Sequence, residues 1–110
     1  MRLVTYGHDL NISYEGSTIG RTELPSGKHE LWCVTADGSK YTLGIYSMKT
    51  TARVVAHEIM DFAWGNERTN SFFIIPRDEF LNDTFDIDDE NDTVSLKRGK
   101  NYEWGWYEEG

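Results

Sequence analysis

The chain has a single cysteine and only eleven Lys and Arg residues in 110 positions. One cysteine, Cys33, excludes an internal disulfide and any multi-cysteine zinc site. The eleven cations stand against 19 Asp and Glu, which gives a formal net charge of −8. That deficit argues against a protein that grips nucleic-acid backbone, because neutralising phosphates takes a surplus of Lys and Arg. Anionic membrane surfaces are disfavoured for the same reason. Long apolar runs are missing too. The longest, Phe72-Phe73-Ile74-Ile75, is strand-sized, far short of the roughly 20 residues of a membrane helix. Met1-Arg2-Leu3-Val4-Thr5-Tyr6 shows no apolar stretch of signal-peptide length. The expectation is a soluble, cytoplasmic protein.

What is present suffices for one folded domain. At 38% hydrophobic and 14% aromatic the chain can bury a core, and its length fits a single domain spanning residues 1–110. The charge is unevenly placed. Residues 1–77 carry eight acidic and eight basic side chains, whereas residues 78–110 carry eleven acidic and three basic, so the whole surplus of eight lies in the last 33 residues. Asp78, Glu79, Asp83, Asp86, Asp88, Asp89, Glu90 and Asp92 precede the next cation, Lys97. Eight like charges in fifteen residues repel one another, so folding gains from them only if a partner supplies counter-charge. The plain alternative is a solvated acidic loop that keeps the protein soluble.

Leu3–Tyr6 and Leu10–Tyr14 read as short strands separated by Gly7. Leu24-Pro25-Ser26-Gly27 reads as a turn. Glu30–Thr35 and Lys40–Tyr46 flank Asp37-Gly38, a strong hairpin signal because glycine supplies the positive φ. Tyr41, Leu43 and Ile45 alternate with Lys40, Thr42 and Gly44, which predicts one buried face. Cys33 falls inside a strand and reads as a small core residue. Ser47 reads as the N-cap of a helix from about Met48 to Trp64. There Met48, Ala52, Val55, Ile59 and Phe62 recur at +4, +3, +4, +3, and Gly65-Asn66 forms the C-terminal stop. Ser71–Pro76 is apolar on both faces and reads as a central strand ended by proline. The fold expected is α+β, with one amphipathic helix on a mainly antiparallel sheet. An acidic loop follows, partly packed through Phe80, Leu81, Phe85 and Ile87. Thr93–Leu96 and Tyr102–Tyr107, around Gly99, complete the chain as a C-terminal aromatic hairpin.

Tyr41-Thr42-Leu43-Gly44-Ile45-Tyr46-Ser47, followed by Ala52, Val55 and Ile59 and then Phe72–Pro76, resembles a module of small proteins from Gram-positive bacteria and their phages. In those proteins a Leu-Gly-x-Tyr strand end leads into an amphipathic helix and a strand closed by proline. The match spans residues 41–76. This chain departs from it by placing Thr50 and Thr51 where such helices carry acidic residues, and in its acidic, aromatic C-terminal third. The resemblance implies phage or prophage origin and carries no catalytic residue.

Chemical motifs are sparse. His57-Glu58 begins like a zinc-protease HExxH helix, but Asp61 stands at the last position, and two facing ligands make a poor metal site. Set on an EF-hand loop, Asp86, Asp88 and Glu90 take positions one, three and five. Asn91 then falls where glycine is needed and Lys97 where a bidentate Glu belongs; starting at Asp88 fails likewise, at Thr93 and Gly99. There is no glycine-rich phosphate loop, G-x-S-x-G elbow or Cys/His arrangement. No cofactor and no metal are expected.

The leading expectation is therefore a non-enzymatic, acidic protein-binding module. Asp83, Asp86, Asp88, Asp89, Glu90 and Asp92 would form a carboxylate array imitating nucleic-acid charge, with Trp104, Trp106 and Tyr107 as aromatic anchors. The partner would be a basic, nucleic-acid-binding host protein, which makes an anti-restriction or anti-CRISPR inhibitor the natural class. The alternative is a small phage structural or regulatory protein that homo-oligomerises through its aromatic hairpin. A metal-dependent hydrolase using clustered carboxylates is the minority reading.

Overall fold

The computed structural model describes residues 1–5 and 9–102, together with the backbone of 106–108. In chain order the described elements are β1 (Arg2–Thr5), β2 (Asn11–Ser13), β3 (Thr18–Glu23), β4 (His29–Val34) and β5 (Lys40–Tyr46). They continue with α1 (Lys49–Ala63), β6 (Ser71–Ile75), α2 (Asp78–Thr84), β7 (Phe85–Asp88), β8 (Thr93–Leu96) and β9 (Trp106–Glu108). The fold is mixed α+β, with helices packed on mostly antiparallel strands.

The strands form three sheets where a single antiparallel one was expected. One has the order β2-β1-β6-β9, the second β3-β4-β5, the third β7-β8. β1 and β6 pair in parallel, Leu3 opposite Phe73. A parallel pair requires a crossover, and here everything from β2 through α1 lies between the two strands. β6 sits between β1 and β9, which accounts for its unbroken apolar sequence.

The Asp37-Gly38 hairpin forms as the sequence indicates, with Gly38 at φ 87°. Its apolar face does not follow the simple alternation. Leu43 is skipped in the pairing, Trp32 facing Thr42 and Leu31 facing Gly44. This bulge reverses the parity of the strand, so Leu43 and Tyr46 are buried while Ile45 is 49% exposed. β3 was not apparent in the sequence. It is an edge strand with half-buried or exposed side chains, so it carries no apolar period for a pattern to reveal.

The core gathers Leu3, Leu31, Cys33 and Tyr46 from the sheets, Val55 and Ile59 from α1, and Leu81 and Phe85 from the acidic third of the chain. The division at residue 77 is thus one of composition; residues from both sides fill the same core. α1 ends as its sequence indicates. Gly65 adopts φ 85°, and the Asn66 and Glu67 amides both donate to the Ala63 carbonyl at 3.0 Å, which satisfies the helix's last turn.

Candidate functional site

The acidic segment is regular structure, not a loop. In Phe85-Asp86-Ile87-Asp88 apolar and acidic residues alternate. Phe85 is buried, Ile87 half-buried, and both aspartates are exposed, the period of a half-buried strand. β7 pairs with β8, Phe85 opposite Leu96 and Asp88 opposite Thr93. Among the described residues the expected hairpin between Thr93–Leu96 and Tyr102–Tyr107 is not formed. β9 pairs instead with β6, Phe73 opposite Trp106 and Phe72 opposite Tyr107. A turn does occur at Gly99, φ 81°, but the apolar side of β8 is matched by the strand before it. Four residues, Asp89 to Asp92, make the β7–β8 turn, with Asp92 at φ 53°. Aspartate is among the few non-glycine residues that tolerate this left-handed conformation.

This turn docks on the N-terminal end of α1. The Thr50 amide donates to Asp89 Oδ1 at 2.8 Å and the Lys49 amide to Asp89 Oδ2 at 3.2 Å. The Thr50 hydroxyl donates to Asp92 Oδ1 at 3.1 Å, and Arg53 Nε donates to the same oxygen at 2.9 Å. One turn of α1 thus binds two carboxylates from a segment some forty residues away. The reason is elementary. The first amides of a helix have no intrahelical acceptor, and the helix dipole makes that end positive. The first turn of α1, with Thr50 and Thr51, contains no acid of its own. Asp89 supplies the missing charge from outside.

Ser47 does not cap α1, contrary to the sequence reading. Met48 occupies the cap position and makes no side-chain cap bond. The Ser47 amide and hydroxyl both donate to Asp78 Oδ1, at 3.0 and 3.1 Å, while Asn82 Nδ2 donates to the Ser47 hydroxyl at 3.2 Å. Ser47 therefore joins the end of β5 to α2. Asp78 heads the acidic run but not the expected carboxylate array, and only this long-range pairing reveals its part.

The electrostatics follow the geometry. Desolvation pushes the Asp89 carboxyl upward, but its bonds from Thr50 and Lys49 outweigh that and hold it below the ordinary aspartate value. Asp92 is held low chiefly by its bond from Arg53. Asp88 is also held low, chiefly by Asn91 Nδ2, which donates to Oδ2 at 2.7 Å. The Glu90 and Asn91 amides donate to its other oxygen, an Asx-type turn. Asp83 lies 3.6 Å from Lys100 Nζ in an exposed ion pair. Asp86 and Glu90 are exposed. The six carboxylates predicted as one array therefore divide by role. Asp89 and Asp92 strap the turn to α1, Asp88 shapes it, and Asp83, Asp86 and Glu90 face solvent.

Of the aromatic anchors, Trp104 lies outside the described residues, and Trp106 and Tyr107 are placed by backbone alone. Tyr102 joins Phe80, with ring centroids 5.1 Å apart, and Phe85, edge-on at 5.8 Å. This aromatic cluster ties the chain after β8 to α2 and β7. Cys33 is fully buried, and burial pushes its thiol pKa up, the opposite of a reactive thiolate. Glu58 is also pushed up, mainly by burial, with neighbouring His57 opposing. Among the described residues no three His, Cys, Asp or Glu side chains are grouped to hold a metal. No described helix is long and apolar enough to cross a membrane. No protein-family model, curated protein or solved structure matches the chain.

Proposed function

We propose that this protein is a non-enzymatic, acidic protein-binding module that occupies a basic, nucleic-acid-binding surface of a partner. An inhibitor of the anti-restriction or anti-CRISPR type, encoded by a phage, is the class in which such a module belongs. The observation that carries the reading is the turn between β7 and β8. Its shape is fixed by Asp88 and its position by the Asp89 and Asp92 contacts to α1. Asp86 and Glu90 are consequently offered from a braced support, with Asp83 nearby in sequence on α2. A preorganised array loses little conformational entropy on binding. Clustered charge of one sign also speeds encounter with a basic partner by electrostatic steering.

The division of roles sharpens the test. Asp86→Asn with Glu90→Gln removes two charges that brace nothing, so this double variant should keep the parent melting temperature. A partner isolated on the immobilised protein at low salt, and identified as a nucleic-acid-binding protein, is then titrated with both forms. The expected result is an affinity that falls steeply with salt, competition by duplex DNA, and several-fold weaker binding by the double variant. An affinity unchanged from low to high salt, or unaffected by DNA, refutes mimicry. The alternative, homo-oligomerisation through the C-terminal aromatics, predicts a closed oligomer by light scattering that dissociates when Trp106 and Tyr107 are replaced.

A further inference from the structure

A second surface, lined by other residues than the β7–β8 turn, has the form of a peptide site. β5 is the last strand of its sheet, and among the described residues nothing pairs with its outer side. A cleft of about 480 Å³ runs beside it, lined without a break by Tyr41 through Tyr46. Successive side chains of a strand point to opposite faces. A cleft that touches six in a row therefore follows the backbone edge and not one face of the sheet. An open edge presents unpaired amide and carbonyl groups, the template onto which an extended chain adds as a further strand.

The far wall of the cleft determines what kind of chain. It is built where the parallel strands β1 and β6 end, and it carries Asp9, Asp78 and Glu79 against one cation, Arg77. Asp78 is anchored through one oxygen by Ser47. Asp9 and Glu79 are exposed. The floor is apolar, with Leu43 and Ile75 buried beneath. We propose that the β5 edge binds an extended peptide segment bearing Lys or Arg. The segment would add as a fourth strand to β3-β4-β5, directing its cations at Asp9 and Glu79 and its apolar side chains at the floor. Two features of the strand restrain indiscriminate pairing between copies of this chain: the bulge at Leu43 and the cation Lys40, which sits 5.0 Å from the Trp32 ring.

The test uses the ¹⁵N-labelled protein of 110 residues and three kinds of synthetic hexapeptide. One alternates lysine and valine, one replaces lysine by glutamate, and one keeps lysine but has alternate backbone amides N-methylated, prepared in both registers. The expected result is saturable shift changes at Thr42–Tyr46 with the lysine peptide and none with the glutamate peptide. N-methylation in one register should abolish binding, because it removes the donors a new strand offers. Asp9→Asn combined with Glu79→Gln should weaken binding about fivefold while leaving the amide spectrum of the free protein otherwise intact. Equal binding by both N-methylated peptides, or no saturation at millimolar lysine peptide, overturns the proposal. Shift changes confined to residues 86–92 also overturn it, and would instead favour the carboxylate array as the basic-ligand site. The two proposals thus fail separately.

Discussion

Gly44 shows how a short motif acquires its reason only at atomic detail. Tyr46 is fully buried and donates its hydroxyl to the Pro76 carbonyl at 2.8 Å, with burial pushing the phenol's pKa up. Its ring lies over Gly44, where an added Cβ would fall 2.7 Å from the hydroxyl oxygen and 2.9 Å from two ring carbons. The Leu-Gly-x-Tyr pattern is thus a packing requirement: glycine leaves the space that the tyrosine fills to bridge β5 and the end of β6. The same device recurs across strands, where Trp32 covers Gly20. Gly44→Ala should force the buried ring aside and lower stability by about 1–3 kcal/mol, read as a lower urea midpoint at unchanged slope. A midpoint equal to the parent's would show that the ring moves freely. The motif's residues were legible in the sequence; the contact between its second and fourth members was not, because a bulge lies beside it.

At the scale of elements, the helix and the acidic hairpin belong together. The +4, +3 spacing located α1 to within a residue at each end, and Ala52, Val55 and Ile59 are fully buried as that spacing requires. A serine in front of a helix is the usual local cap, whereas here the acceptor arrives from the turn after β7. Asp89→Ala should therefore destabilise the protein by about 1 kcal/mol near neutral pH, the ordinary size of a lost cap. The pH dependence follows from the lowered folded-state pKa of Asp89. A carboxylate held below its unfolded value contributes its stability above that value, 3.8, and loses it as the pH falls through the folded one. The gap between parent and variant should be full at pH 6 and narrow below pH 4 in parallel denaturant titrations. A gap independent of pH would remove the ionised carboxylate from the explanation. β7 itself was hidden by its charge. Phe85 and Ile87 read as packing residues of an acidic loop, whereas their alternation with Asp86 and Asp88 is the strand signal.

Across the whole molecule, composition and architecture divide the chain differently. A count of charges separates residues 1–77 from 78–110, yet Leu81 and Phe85 lie in the common core and Asp78, Asp89 and Asp92 hold the ends of β5 and α1. Residues 1–77 alone should then fail to fold cooperatively. Circular dichroism of that fragment is expected to show a broad, low-amplitude melt beside the sharp transition of the full chain. A sharp transition in the fragment would establish the first 77 residues as an independent scaffold.

The sequence by itself determined those features whose causes are local: the Asp-Gly hairpin, the reach of α1 and its glycine stop, the apolar β6 and the concentration of charge after Pro76. Each rests on a period or a turn residue within a few positions of itself. It also places eight acids within fifteen residues, which raises the question of counter-charge. Only the tertiary structure decided where some of that counter-charge lies. The positive end of α1 and Arg53 meet Asp89 and Asp92 across about forty residues, and no local pattern encodes a pairing that exists only once the strands between them have folded. The parallel β1–β6 pair, the partner of β8 and the place of β5 at the end of its sheet were fixed by the same long-range packing.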